Sequence, residues 1–343
     1  MRPVLAPPSS GPVDPLPAPP TFSVIVAAYQ VADVIGDALG SAFAQTRPAQ
    51  EVIVCDDGST DDVAAALKPY AGRIRLIRQE NRGESSAKNS AARVATGDFV
   101  VILDADDVFH PQRLEALGEL AAARPDLDIV TTDAEIEVDG RFVRRCYTSE
   151  LPFPVVGQRA AILERNFVFG LAAVQRRRWL EVGGFDETIR WAADWDFWAR
   201  LILDGSRVGL VDEPLAHYRL RSGSLSSQRH LLFEGRVRTL EKAHNHPSLT
   251  PREREITMAS LALERRRLAL ARARAALAGD LRYPRRRSLA VALGRGQPLR
   301  TRAKAAAAAF APGLAAKLLL GRDRETTGGI LVPPPGAASG RRS

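Results

Sequence analysis

The chain has 343 residues, 45% hydrophobic and 26% charged; that balance excludes a disordered or fibrous protein and allows one large α/β domain with extra helices, or two domains. Its net charge of +8 is uneven, with 28 Lys and Arg against 34 Asp and Glu in residues 1–249 (a balance of −6) and 20 against 6 in residues 250–343 (a balance of +14). An acidic body suits a bound cation, and a basic tail suits a membrane surface, nucleic acid or an anionic acceptor.

Residues 1–20 hold eight prolines and no hydrophobic period, which predicts a flexible leader without the apolar run of a secretion signal. Phe22 to Ala27 is a short β-branched run that predicts a buried strand, and Val34 to Phe43 switches to helical spacing. Glu51 to Cys55 predicts a second strand, with Cys55 as a small core residue. Asp61 to Tyr70 predicts a helix capped by Ser59 or Thr60. Ile74 to Ile77, Glu84 to Ala95 and Phe99 to Leu103 continue the pattern as strand, helix and strand. Such alternation predicts a mostly parallel sheet covered by helices on both faces.

Past Pro111 the pattern loosens. Asp128 to Thr132 predicts a strand, and Glu135–Val138 with Phe142–Tyr147 predicts a hairpin about Asp139-Gly140. Trp195 to Leu203 has helical spacing and Val208 to Val211 reads as a strand. From Thr250 the chain turns Ala/Arg/Leu-rich and helical, interrupted at Pro284, Pro298 and Pro312. Cys55 and Cys146 form neither a metal spacing nor a disulfide framework, and no run approaches about 18 apolar residues.

Three polar clusters follow apolar strands: Ala28-Tyr29, Asp56-Asp57-Gly58-Ser59 and Asp104-Ala105-Asp106-Asp107. In an open parallel sheet the ligand crevice lies beyond the carboxyl ends of the strands, so these clusters are expected to meet there. Asp104, Asp106 and Asp107 repel one another unless a cation joins them, and hard oxygens without His or Cys favour Mg²⁺ or Mn²⁺. With no Walker loop and no G-x-G-x-x-G, phosphate is expected on that metal, helped by Lys88. Three of the four tryptophans, Trp191, Trp195 and Trp198, fall in the short stretch after Gly183-Gly184-Phe185-Asp186-Glu187, and the aromatics around Asp194 and Asp196 predict a sugar-binding wall beside one general base. Asp194 and Asp196 are two apart, so on a helix only one faces the substrate.

These stretches, with Asn81-Arg82-Gly83-Glu84-Ser85-Ser86-Ala87-Lys88-Asn89, occur in order over residues 21–226, and there the chain resembles the family 2 inverting glycosyltransferases. The resemblance implies the GT-A (nucleotide-diphospho-sugar transferase) fold: a mostly parallel central sheet flanked by helices, here with a C-terminal helical extension. It implies that Ala27, Tyr29 and Asp57 meet the nucleotide base and that Asp104, Ala105 and Asp106 form a D-x-D for ribose and metal. By the same resemblance Asp106 and Asp107 hold the metal and Asp194 is the catalytic base. Two positions depart from the pattern: Ala193 stands where the family has Glu, and Arg221 where His is common.

The resulting expectation is a leader (1–20), a catalytic domain (21–240), a basic helical extension (241–325) and a flexible tail (326–343). The expected reaction is inverting transfer of a sugar from a nucleotide-diphospho-sugar to a saccharide or lipid-linked acceptor in glycan biosynthesis. A metal-dependent nucleotidyltransferase and a catalytically inactive sugar- or nucleotide-binding protein are the alternatives. The basic segment Arg302 to Leu320 suggests a peripheral membrane contact. The expected location is cytoplasmic, on the inner face of the membrane where that contact forms. No nucleic-acid-binding module is recognisable.

Overall fold

The computed structural model describes residues 19–220, 229–277 and 302. Its first half follows the alternation of the sequence: β1 (Phe22–Ala28), α1 (Ile35–Phe43), β2 (Glu51–Asp56), α2 (Val63–Leu67), β3 (Ile74–Arg78), α3 (Glu84–Val94) and β4 (Phe99–Ile102). The second half adds β5 (Val108–Phe109), α4 (Arg113–Ala123), β6 (Ile129–Val138), β7 (Arg141–Arg145), α5 (Gln158–Glu164), β8 (Ala173–Gln175), α6 (Arg176–Glu181), α7 (Ala193–Leu203), β9 (Val208–Leu220), α8 (Arg229–His244) and α9 (Pro251–Leu277).

All nine strands join one sheet in the order β3-β2-β1-β4-β8-β6-β9-β5, with β7 paired to β6. The β3-β2-β1-β4 half is wholly parallel. β8 enters antiparallel between β4 and β6, and β6 with β9 is parallel again. Strands covered on both faces carry unbroken apolar runs, and β1 shows one from Val24 to Ala28. Its Ile25 joins a core with Ala87 and Ala91 of α3 and Phe197 and Trp198 of α7, whereas Val24 and Val26 join Leu39 of α1 and Leu114 of α4.

Three expectations change. The helix predicted from Asp61 starts at Val63 with Asp62 as its cap, because Ser59 and Thr60 are engaged elsewhere; Pro69 lies in a tighter 3₁₀ turn at its end. The segments 128–132 and 135–138 are one strand, β6, since Asp133 and Ala134 between them are fully buried and the pairing with β9 runs from Thr131 and Thr132 through Asp133. Arg113, buried on α4, donates to Thr132 Oγ1 and to the Leu171 carbonyl, while Arg145 donates to Asp133 at 2.6 Å. The strand at Val208 runs on to Leu220. The hairpin forms as predicted, with Asp139 and Gly140 both left-handed (φ 50° and 73°), the twist a two-residue turn requires.

α9 opens with a capping box: the Thr250 N–H donates to Glu253 Oε2 at 2.9 Å and the Glu253 N–H to Thr250 Oγ1 at 3.2 Å, with Pro251 in the first turn. Glu253 also accepts from Arg159 of α5 at 2.7 Å, which seats α9 on the body of the fold. No helix among the described residues is long and apolar enough to cross a membrane. The leader through residue 18, Arg221 and its loop, and Pro284, Pro298, Pro312 and 303–320 of the basic tail lie outside the described residues.

α8 packs on α7 and, at Gly235, on the backbone just before it, where an added Cβ would overlap the carbonyl oxygen of Trp191 and lie 2.6 Å from its carbon. Backbone on one side and helix on the other leave nothing to yield. Gly235→Ala is therefore expected to cost about 2–3 kcal/mol and to lower Tm by roughly 5–10 °C. An unchanged melt by circular dichroism would rule out the close approach.

Candidate active site

Because β2, β1 and β4 are parallel neighbours, the polar residues after Ala28, Asp56 and Ile102 open on one edge of the sheet. Ala27 is half-buried at the end of β1 and Tyr29 is 47% exposed beyond it. Gln30, left-handed at φ 56°, laces two of these turns together. Its Oε1 accepts from the N–H groups of Thr60 (3.1 Å) and Asp61 (2.9 Å), and its Nε2 donates to Thr60 Oγ1 at 2.8 Å.

The two aspartates after β2 differ in their work. Asp56 caps its own turn, accepting from the Ser59 N–H at 2.8 Å, and pairs with Arg78. Asp57 is 2% exposed and holds the next loop: Oδ1 accepts from Gln79 Nε2 (2.8 Å) and the Arg82 N–H (2.9 Å), and Oδ2 from the Gly83 N–H (2.7 Å). Its carboxylate thus orders residues 79–83 and keeps one lone pair on Oδ2.

Lys88, expected beside the phosphate, is paired with two carboxylates. It is buried on α3, with its ammonium 2.7 Å from Asp104 Oδ1 and 2.5 Å from Glu84 Oε1. Those carboxylates hold Lys88 charged against the cost of burial. Burial pushes Asp104 up to about 6 against the pull of Lys88, which leaves it ionised at neutral pH. Ala105 is buried and Asp106 exposed. Asp107 is 1% exposed, with Oδ1 accepting from the Arg219 N–H at 2.9 Å. Its Oδ2 is buried without a hydrogen-bond partner among the described residues, and burial beside Asp104 and Asp106 raises its carboxyl well above the ordinary range.

This donor set fits a hard divalent cation. The orphaned Oδ2 of Asp107 lacks the partner a cation or its water supplies, and the exposed Asp106 carboxylate has no hydrogen bond or ion pair among the described residues. Elsewhere among the described residues, Glu135, Glu137 and His217 bring ligand atoms within 4.8 Å of one another across β6 and β9, where His217 Nδ1 lies 3.0 Å from Glu137 and 3.4 Å from Glu135.

The aromatic stretch is largely core and not a sugar wall. Trp195, Phe197 and Trp198 are at most 3% exposed, and the Trp195 Nε1–H donates to the Ile162 carbonyl at 2.7 Å. Only Trp191 keeps partial exposure. Left-handed Ala192 (φ 57°) turns the chain into α7 and sets Asp194 in its first turn. As the spacing predicts, Asp194 and Asp196 part company. Asp196 is 2% exposed and locked to Arg200 (2.8 Å) and Lys242 (2.7 Å). Asp194 stays partly accessible beside Ala193, which offers no polar group. Burial raises the Asp194 carboxyl above its ordinary range, opposed by the Trp195 backbone N–H, Lys88 and Arg236. Lys88 thus links Asp194 electrostatically to the Asp104 cluster, as does Tyr218, whose hydroxyl burial and the carboxylates of Asp107, Asp104 and Asp194 push well up.

Several partners were not legible in the sequence. Arg219 of β9 clamps the acidic turn, with Nε on the Asp106 carbonyl (2.5 Å) and Nη1 on Asp37 (2.9 Å). Asn89 of α3 bonds both the N–H (2.8 Å) and the carbonyl (2.9 Å) of Phe185, tying down the Gly183-Gly184 turn. Asn89 stands in the 81–89 stretch and Arg219 two residues before Arg221, but their partners are about a hundred residues away in the chain.

The chain resembles known proteins in both sequence and fold. The family described as glycosyl transferase family 2 matches residues 23–184. The succinoglycan biosynthesis protein ExoU of Rhizobium meliloti (strain 1021) is 31% identical over 66% of this chain and 70% of its own length. The chondroitin synthase of Escherichia coli is 33% identical over 53% of this chain and 26% of its own length. Among solved structures, the mannosyltransferase PcManGT from Pyrobaculum calidifontis, in complex with GDP-Man and Mn²⁺, superposes with TM-score 0.57 at 23% identity, covering 92% of each chain. Residues 1–349 of S. aureus TarS superpose with TM-score 0.56 at 19% identity, covering 89% of this chain and 93% of that one. The chain therefore belongs to glycosyl transferase family 2 and adopts the GT-A fold.

Proposed function

We propose that the chain is an inverting glycosyltransferase that moves a sugar from a nucleoside-diphosphate donor to an acceptor hydroxyl, with a divalent cation at Asp106 and Asp107, in the assembly of a cell-surface polysaccharide. One observation carries the reading: a partly accessible, raised-pKa carboxylate, Asp194, lies within electrostatic reach of the Lys88–Asp104 pair that opens the acidic turn. A base and a diphosphate site in one crevice are what single displacement at an anomeric carbon needs. The names of the relatives point the same way: succinoglycan and chondroitin are polysaccharides, and PcManGT was captured with a nucleotide sugar and Mn²⁺.

Ala27 and Tyr29 border the base pocket, and Asp57 holds the 79–83 turn beside it while offering the remaining lone pair of Oδ2 to the base. Asp104, fixed by Lys88, receives the ribose hydroxyls. A bound Mn²⁺ or Mg²⁺ supplies positive charge to the departing nucleoside diphosphate. Asp194 accepts the proton of the acceptor hydroxyl as its oxygen attacks the anomeric carbon, inverting the configuration. The acceptor is a saccharide or a lipid-linked saccharide, and the basic C-terminal region brings the enzyme to the inner face of a membrane.

The test is nucleotide release from UDP-, GDP- and dTDP-sugars with Mn²⁺ or Mg²⁺. One donor class is expected to release nucleotide, EDTA to stop it, and restored cation to recover it. Release that ignores EDTA removes the metal from the proposal, and no release from any sugar removes the activity.

A further inference from the structure

We infer that Asn166 is the positioning residue of Asp194, holding carboxylate Oδ2 so that Oδ1 is presented to the acceptor hydroxyl. The inference rests on the reading of Asp194 as the catalytic base. Asn166 Nδ2 donates to Asp194 Oδ2 at 2.8 Å, the one hydrogen bond from another side chain that this carboxylate receives among the described residues.

The amide is oriented from its other end. Asn166 Oδ1 accepts from the Val168 N–H at 3.3 Å, and a flipped amide would set oxygen against a carboxylate and NH₂ against an N–H. The backbone that carries it is also fixed. Phe167 and Val168 are buried, and the Tyr147 hydroxyl donates to the Phe167 carbonyl at 2.8 Å. The adjoining α5 is pinned to α7 by the bond from Trp195 to Ile162, one residue from Asp194 in sequence. Two bonds thus join segment 162–168 to the first turn of α7, one structural and one ending on the carboxylate.

The consequence is electrostatic as well as geometric. Asp194 faces Lys88 and Glu84 from α3, Arg236 from α8 and Tyr218 from β9. Burial and Glu84 favour its neutral form; Lys88, Arg236 and the Trp195 N–H favour the ionised form. A donated N–H from Asn166 adds to the second group, since hydrogen bonds to a carboxylate stabilise its charge. A base acts only when ionised, so losing this donor moves the acid limb of the pH profile upward.

Asn166→Ala is expected to keep the parent's KM for donor and to lower kcat about 10- to 100-fold. The acid limb of kcat/KM should rise by about one pH unit. Asn166→Asp, of nearly the same shape, sets a second carboxylate against Asp194 and should raise the limb further; it also serves if the alanine variant fails to fold. Parent-like kcat with an unmoved limb in a folded variant overturns the inference, as does a fall in kcat without any movement of the limb. Asp194→Asn run alongside separates the two readings. If it turns over at the parent's rate, the base assignment falls and this one with it; if it is slowed by about 10²-fold or more while the Asn166 variants behave as the parent, only this inference falls.

Discussion

Asp194→Asn is expected to transfer sugar roughly 10²–10⁴-fold more slowly than the parent, with donor affinity unchanged. The substitution keeps the side-chain shape and removes only the ability to accept a proton, and the donor-side groups Asp57 and Asp104 do not depend on it. The sign of the pH dependence follows from burial. The Asp194 carboxyl sits above its ordinary value of 3.8 in the folded chain. As a base it is active above that raised pKa and is lost as pH falls through it, so the acid limb lies above the ordinary carboxylate range. For stability the sign is opposite: a raised carboxyl favours the fold below its unfolded pKa, and that contribution is gone once pH passes the folded value. The asparagine variant therefore melts no lower than the parent at neutral pH. Slower transfer with an equal or higher Tm, read by calorimetry and nucleotide release together, identifies a catalytic loss; a fall in both would point to a structural one.

Lys88→Met is expected to cost about 3 kcal/mol of stability at neutral pH. The figure is the low end for breaking a buried pair, because the Glu84 side chain is 66% exposed and its share is screened. What remains is Asp104, left beside Asp106 and Asp107 with no positive neighbour at hydrogen-bond distance among the described residues. The same loss deepens the negative potential at the acidic turn, so a divalent cation should bind the variant more tightly and restore part of its stability. Thermal melts of parent and variant with and without millimolar Mn²⁺ decide the matter. The gap between them should narrow with the cation, and an equal gap would place the cation away from this turn.

Much of the donor half was legible because local pattern and tertiary demand coincide there. β1, β2 and β4 are buried on both faces and so carry unbroken apolar runs (Val24 to Ala28, Val52 to Cys55 and Phe99 to Ile102), and each is followed by polar residues that the parallel topology must gather at one edge. The second half was harder for a physical reason. β6 carries Thr131, Thr132 and Asp133 into the interior, satisfied by Arg113 and Arg145 from elsewhere in the chain, so the polar run that seemed to end a strand lies inside it. The three-residue β8 is too short to show a period. For Trp195 and Trp198, composition shows that aromatics cluster but not whether they face a core or a ligand. Lys88 illustrates the same limit: its partner Glu84 is an ordinary i,i+4 neighbour, while Asp104 is brought beside it only by the adjacency of the strands.

The lock between α7 and α8 bears on where this chain can be recombined. Lys242 bridges Asp186 (2.6 Å) and Asp196 (2.7 Å), and Gly235 lies against Trp191, so the helix bearing Asp194 and the helix after residue 228 fold as one block. A chimera that exchanges acceptor-side sequence at residues 221–228 would strand the buried carboxylate of Asp196 without Lys242. A junction in the short connection to Thr250 fares no better, since Arg265 and Arg272 of α9 pair with Glu241 and Glu234 of α8 and Glu253 is held by Arg159 of α5, so α7, α8 and α9 have to be exchanged together.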